Sequence, residues 1–308
     1  MSAGAVAGLH HITAITGDPQ TNADFYIGTL GLRLVKRTVN FDDPGTYHLY
    51  YGDAAGTPGS ILTFFPYLRA RQGHGGRGMA ESFSYALPAD DLALLETRLA
   101  AAGLATTDVE RFGARVVLVR DPHRQPLEFV AHENAARFGH FFGVTLEVED
   151  PDATAGILTD IFGYVPSGEE ASAGQRRFRF RTGHGPDTGA SGAVVDLLQR
   201  DGVPRARPGA GTIHHVAFRA ANRDHQSALR EALLAAGHSV TPRIDRQYFD
   251  AVYFREPNGI LFEIATDPPG FAIDEAPDAL GASLMLPPQY EPHRREIEAH
   301  LPPLQVPA

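Results

Sequence analysis

Short segments with alternating apolar and polar residues recur along the whole chain. They are RLVKRTVNF (33–41), YHLYYGD (47–53), ILTFFP (61–66), RVVLVRD (115–121), PLEFVA (126–131), RRFRFRT (176–182), AVVDLLQ (193–199), AVYFREP (251–257) and ILFEIAT (260–266). A period of two places alternate side chains on opposite faces, so each segment is expected to be a strand. Helices are bracketed differently. Pro19 and Gly31 are twelve residues apart, as are Pro151 and Gly163. A proline just inside a helix start and a glycine just past its end frame a helix of about ten residues. ETRLAAAG (96–103) and REALLAAG (230–237) form a second matching pair, each closed by glycine. The order strand, helix, then two or three strands thus repeats four times, near 5–67, 80–132, 140–199 and 211–267. Units one and three match, as do two and four, so the chain reads as a duplicated pair with halves 1–139 and 140–308. One such unit cannot bury its apolar sheet face alone. Two together make an incomplete barrel around a cavity. The expected class is α+β, with four βαβββ modules forming two incomplete barrels.

Two of the units open on the same dipeptide, GLHHIT at 8–13 and TIHHVA at 212–217. This feature, the module order and the closing segment EPNGILFEI (256–264) resemble the vicinal oxygen chelate superfamily of glyoxalases, fosfomycin-resistance proteins and extradiol dioxygenases. The resemblance spans roughly residues 5–270. It implies metal ligands on the first strand of a unit and on a Glu near the end of its last strand. Unit one offers His10 and His11 in front but Thr63 and Phe64 behind. Unit four offers His214 and His215 in front and Glu263 behind. Unit three places Gly143 opposite His11, and unit two offers Glu81 or Ser82 with Glu128. Only one residue of each His pair can face the cavity, and periodicity does not decide which. The resemblance implies the second of each pair, giving His11, His215 and Glu263. Two His and one carboxylate suit non-haem Fe(II), and Mn(II) accepts the same donors. Because the three ligands must meet at one ion, unit one is expected to pair with unit four and unit two with unit three.

The stretch RIDRQYFDAVYFREPNGILFEIATDPPGF (243–271) looks like the hydroquinone 1,2-dioxygenase branch of that superfamily. Arg246 lies seven residues before Tyr253, and Tyr253 ten before Glu263. This resemblance implies that Tyr253 and Arg246 lie beside the substrate, with His10, Thr13 and His214 supporting. A dihydroxybenzene must lose a phenolic proton to bind a metal. Tyr253 and Arg246 would orient that oxygen and stabilise its anion, while His10 or His214 relays the proton. The implied activity is Fe(II)-dependent opening of a hydroquinone ring, with O₂ as co-substrate and a small aromatic substrate. Catechol cleavage is an alternative within the class. A glyoxalase-like isomerase or transferase is disfavoured by Thr63 and Phe64, where it would want a carboxylate.

Composition narrows the partners. The 308 residues contain no cysteine, which removes disulfides, thiolate metal sites and cysteine nucleophiles. This fits a reducing cytoplasm. A net charge of -10 argues against nucleic acid and anionic membranes, and no run of about 20 apolar residues is present. GHGGRG (73–78) satisfies G-x-G-x-x-G but is followed by a strand pattern rather than a helix. It is expected to be a mobile loop that covers the site, not a nucleotide cradle, and no organic cofactor is expected. The remaining histidines singled out (74, 123, 132, 140, 184, 225, 238, 293 and 300) are expected on the surface or in loops. The Pro-rich tail 272–308, with one short helix near HRREIEAHL, is expected to pack over a neighbouring unit or a second subunit of a homo-oligomer.

Overall fold

The structure, a computed structural model, describes residues 4–133, 135, 138–172, 174–182 and 192–307. His184 lies outside them. The first module runs β1 (Leu9–Thr16), α1 (Pro19–Ala23), β2 (Arg33–Asn40), β3 (Asp43–Gly52) and β4 (Ile61–Pro66). The second runs β5 (Met79–Leu87), α2 (Ala89–Ala101), β6 (Thr106–Arg111), β7 (Ala114–Arg120) and β8 (Pro126–Ala131). The third runs β9 (Phe141–Glu147), α3 (Pro151–Gly156), β10 (Tyr164–Ser172), β11 (Gln175–Thr182) and β12 (Val194–Arg200). The fourth runs β13 (Thr212–Ala220), α4 (Arg223–Ala235), β14 (Ile244–Asp245), β15 (Phe249–Arg255) and β16 (Leu261–Pro269), followed by a tail with α5 (Arg294–His300).

The local signals for helices act as the sequence implies. Asp18 caps α1 through Thr21 N and Asp150 caps α3 through Asp152 N and Ala153 N, each with proline in the first turn. Both helices run into a π-helical turn, at Asp24–Thr29 and Ile157–Ile161, which fills the spacing to Gly31 and Gly163. Gly103 and Gly237 close α2 and α4 at φ +74° and +88°, the left-handed region that favours glycine.

The strands form two eight-stranded sheets, ordered β14-β15-β16-β13-β1-β4-β3-β2 and β10-β11-β12-β9-β5-β8-β7-β6. Module four therefore joins module one, and module two joins module three, through antiparallel central pairs β1–β13 and β5–β9. Within each module the first and last strands run parallel, as in β1–β4 and β13–β16. One face of the sheets joins a core shared by both, including Ile12, Val216, Phe218 and Phe262 from the first and Phe83, Leu146 and Phe129 from the second. Their strand neighbours His11 and His215 face the other way, into the concave side of the first sheet.

The GHGGRG segment does not cover that concavity. It forms bridges with the linker between modules three and four, His74 to Arg207 and Arg77 to Arg205, while Gln72 bridges Ala210. The backbone lies close there. A Cβ at Gly76 would meet Pro204 O at 2.4 Å, so glycine is what permits the bridge. The two crossings between the sheets thus brace each other. The other histidines outside the site that fall within the described residues are exposed or partly exposed. His123 and His140 are bonded, to the Asp18 amide and to Asp53.

The tail packs on module one. Tyr290 Oη donates to Phe41 O, Tyr47 Oη donates to Pro302 O, and Ile297 and Leu301 are buried. Lys36 on β2 is wholly buried and is held by the tail, 2.5 Å from Asp274 Oδ1 and paired with Glu275. Removing both partners strands a buried ammonium. Asp274→Asn with Glu275→Gln should therefore cost about 3–5 kcal/mol of unfolding free energy in urea titrations. A loss under about 1 kcal/mol would show that Lys36 reaches water instead.

Candidate metal centre and its cavity

Register brings three side chains together. His11 on β1 lies opposite Ala217 on β13, and Ala217 lies opposite Glu263 on β16. His215 sits two residues back on β13, on the same face. His11 Nε2 is 3.3 Å from His215 Nε2 and 3.3 Å from Glu263 Oε2, and His215 Nε2 is 3.0 Å from that oxygen. All three residues are buried, Glu263 completely. Among the described residues, neither oxygen of Glu263 makes a hydrogen bond of ordinary geometry. A buried carboxylate without such bonds is costly unless a cation neutralises it. Donors about 2.1 Å from one ion lie about 3.0 Å apart when cis in an octahedron and about 3.4 Å apart in a tetrahedron. The observed 3.0–3.3 Å fits one ion among the three. Burial alone would raise the Glu263 carboxyl pKa, but His11 and His215 outweigh it and hold it well below the usual carboxylate range.

The first histidine of each pair fixes the second. His10 Nδ1 is 2.9 Å from His11 Nδ1, and His214 Nδ1 is 2.8 Å from His215 Nδ1. With Nδ1 engaged, each inner ring presents Nε2 to the common point. His10 is buried behind the wall beside the Thr266 backbone, and burial, then the charge of His11, keeps its pKa low. Thr13 is also behind the wall, accepting from Thr63 Oγ1 at 2.8 Å. His214 is exposed and lines the cavity.

That cavity, about 510 Å³, has the His–His–Glu cluster in its wall. Tyr253 on β15 lies directly opposite Glu263. Arg246 Nε donates to Tyr253 Oη at 3.3 Å, and its guanidinium lies 5.4 Å over that ring. Arg246 also pairs with Asp42 at the rim, 3.3 Å away. Burial and then the charge of Glu263 push the Tyr253 phenol pKa well above its ordinary value, although Arg246 opposes. The phenol is therefore protonated near neutrality.

Sequence reasoning missed His48 and Tyr50, both on the cavity wall. Their only signal was inward alternation along YHLYY. His48 Nε2 is 2.8 Å from Thr63 Oγ1, and its Nδ1 is 2.8 Å from Tyr50 Oη. Because Thr63 donates to Thr13, His48 donates from Nε2 and accepts from Tyr50 at Nδ1, the neutral tautomer. Burial, then the charges of His11 and His215, hold its pKa well below the ordinary 6.5. The unfolded chain then binds this proton first as pH falls. The stabilisation is complete above about pH 6.5 and is lost below it, at up to about 1.4 kcal/mol per pH unit. In the metal-free protein, urea titrations at pH 6.5 and 5.5 should show a drop larger by about 1 kcal/mol than in His48→Gln. Equal drops would refute the neutral assignment.

Fold and cluster together define a protein of paired βαβββ half-barrels with a two-His-one-Glu donor set in the first barrel. The chain belongs to the Glyoxalase/Bleomycin resistance protein/Dioxygenase superfamily, which it matches over residues 8–129 and 137–264. It is 48% identical, over 97% of each chain, to MhqO of Bacillus subtilis, which is named as a candidate ring-cleaving dioxygenase. It is 32% identical, over 95% of each chain, to a chlorohydroquinone/hydroquinone 1,2-dioxygenase of Sphingobium indicum. A crystal structure named as a candidate dioxygenase from Bacillus subtilis superposes with a TM-score of 0.91 at 46% identity, covering 98% of this chain and 99% of that one. No helix among the described residues is long and apolar enough to cross a membrane.

Proposed function

We propose that the protein is a ring-cleaving dioxygenase that opens a hydroquinone-type ring with O₂, using Fe(II) held by His11, His215 and Glu263. The observation that carries this reading is the convergence of three buried donors in a cavity wall that also presents Tyr253 and Arg246. Relatives named for ring cleavage and for hydroquinone point the same way. A bound Fe(II) would supply electron exchange with O₂ and neighbouring open positions, and Mn(II) would accept the same donors.

The chain's own residues do the rest. A dihydroxybenzene in the cavity places one oxygen toward the three donors. Tyr253 Oη donates a hydrogen bond to that side of the ring, and Arg246 adds positive charge as the phenol ionises. His214, neutral and at the wall, accepts from His215 Nδ1–H through its own Nδ1 and so keeps His215 Nε2 turned inward, while the released phenolic proton leaves to solvent. His10 and Thr13 lie behind the wall and act by holding His11 and the β1–β4 pair in place. A glyoxalase-like reading would want a carboxylate where Thr63 stands, and Thr63 is engaged by Thr13 and His48.

The test is anaerobic reconstitution with Fe(II), followed by O₂ uptake with a panel of hydroquinones and catechols. Stoichiometric O₂ consumption with a hydroquinone supports the reading. Uptake with catechols alone moves the substrate class, and no uptake with either removes the assignment.

A further inference from the structure

The second barrel repeats the first position for position, and the replacements have a direction. Ser84 lies opposite both Gly143 and Glu128, as Ala217 lies opposite His11 and Glu263. Glu128 thus stands where Glu263 stands, Gly143 where His11 stands, and Ser82 where His215 stands. A Cβ at Gly143 would meet Val194 O at 2.4 Å, so no side-chain ligand fits there. Arg111, seven residues before Leu118, takes the place of Arg246, and Leu118 that of Tyr253. Arg179 lies opposite Asp196 as Tyr50 lies opposite Thr63, which puts Arg177 in the place of His48. The two histidine donors have gone, the carboxylate is kept, and fixed cations have come in.

Arg111 and Arg177 line a cavity of about 540 Å³. Arg111 Nη1 is 2.6 Å from Glu128 Oε1, which also accepts from Ser82 Oγ at 2.6 Å. Arg179 binds Asp196 through two 2.8 Å bonds, occupying both carboxylate oxygens. Arg177 is buried and, among the described residues, has a 3.4 Å approach to Asp196 and a 2.9 Å bond to Thr145, both through Nη1. Three guanidinium groups face two carboxylates at the buried end. At the rim, Arg120 and Arg200 stand against Glu81 and Glu147, with Arg200 paired to Glu147. The excess is positive, inside a protein whose net charge is -10. Leu118, Val119, Leu127 and Leu198 supply an apolar wall.

We propose that this second barrel is a binding site for a small organic carboxylate, its charge held between Arg111 and Arg177 and its apolar body against Leu118 and Leu198. A guanidinium matches a carboxylate through paired N–H donors. Desolvation, then the nearby charge of Arg111, lowers the Arg177 pKa, and an anion would relieve that crowding.

The probes are 4-bromobenzoate and benzoate. In crystals of the full-length, metal-loaded protein soaked with 4-bromobenzoate, the anomalous bromine signal is expected in the second barrel. A signal confined to the first cavity, or none, overturns the proposal. By calorimetry, benzoate should bind wild type and Arg246→Gln alike. It should bind Arg111→Gln at least about tenfold more weakly, the loss expected for one charge-assisted bond. Unchanged affinity in Arg111→Gln, or equal binding of neutral benzyl alcohol, would also overturn it. The soak uses the unaltered chain, so it decides the matter even if Arg111→Gln fails to fold.

Discussion

Glu263→Ala, reconstituted anaerobically with Fe(II), is expected to come through gel filtration with little bound iron and no measurable ring cleavage. The carboxylate is the only formal negative charge among the three donors, and it lies within 3.3 Å of both imidazoles. Without it, two neutral imidazoles remain to hold a dication. Changes to residues that merely orient metal ligands already cost about 10–100-fold in affinity, so loss of a ligand should cost more than about 100-fold. A thermal readout separates lost metal from lost fold. Metal binds the folded state and raises the melting temperature by mass action. Fe(II), or Mn(II) as a redox-silent substitute, should stabilise wild type and leave Glu263→Ala unchanged. A cooperative melt of the metal-free variant shows that its fold is intact. Iron and turnover retained in Glu263→Ala would remove the three-donor assignment.

Tyr253→Phe is expected to behave in the opposite way, with full iron content and a fall in ring cleavage of about 10²–10³, the scale for loss of one donor aimed at developing charge. Tyr253 faces Glu263 across the strand pair, yet its bonded partner is Arg246, so it borders the cluster without being needed to hold an ion. The phenyl ring keeps the packing, and only the hydroxyl is lost. Because Tyr253 holds its proton well above its ordinary pKa, the variant should slow turnover evenly between pH 6 and 9. A selective loss at high pH would mean that the phenol itself titrates during turnover. Activity equal to wild type would return Tyr253 to a purely packing role.

Much of the centre was legible in the sequence because its signals are local. The Asp-Pro starts and Gly stops, the alternation of the strands and the spacing from Arg246 through Tyr253 to Glu263 all lie within short stretches. Alignment of Gly143 with His11 and of Glu128 with Glu263 was also countable, and strand register reproduces it; counting left Glu81 or Ser82 opposite the histidine pair, and register selects Ser82 as the counterpart of His215. His48 was not legible. It carries no motif, and it joins the site only because β3 lies beside β4 and turns its inner face toward a histidine cluster from two other strands.

The sequence by itself determined the four-module repeat, its α+β class and the residue types offered at each ligand position. It also required, through the need for three ligands at one ion, that module one meet module four. The tertiary structure alone decided which nitrogen of each histidine points inward. It also turned GHGGRG into a brace rather than a lid, left His10 and Thr13 behind the wall, and gathered arginines where the second barrel lacks a ligand set. The physical reason is range. Period and capping act over a few residues, whereas the β1–β13 and β5–β9 pairings join strands far apart in the chain. A one-residue slip in either would turn every inward side chain outward.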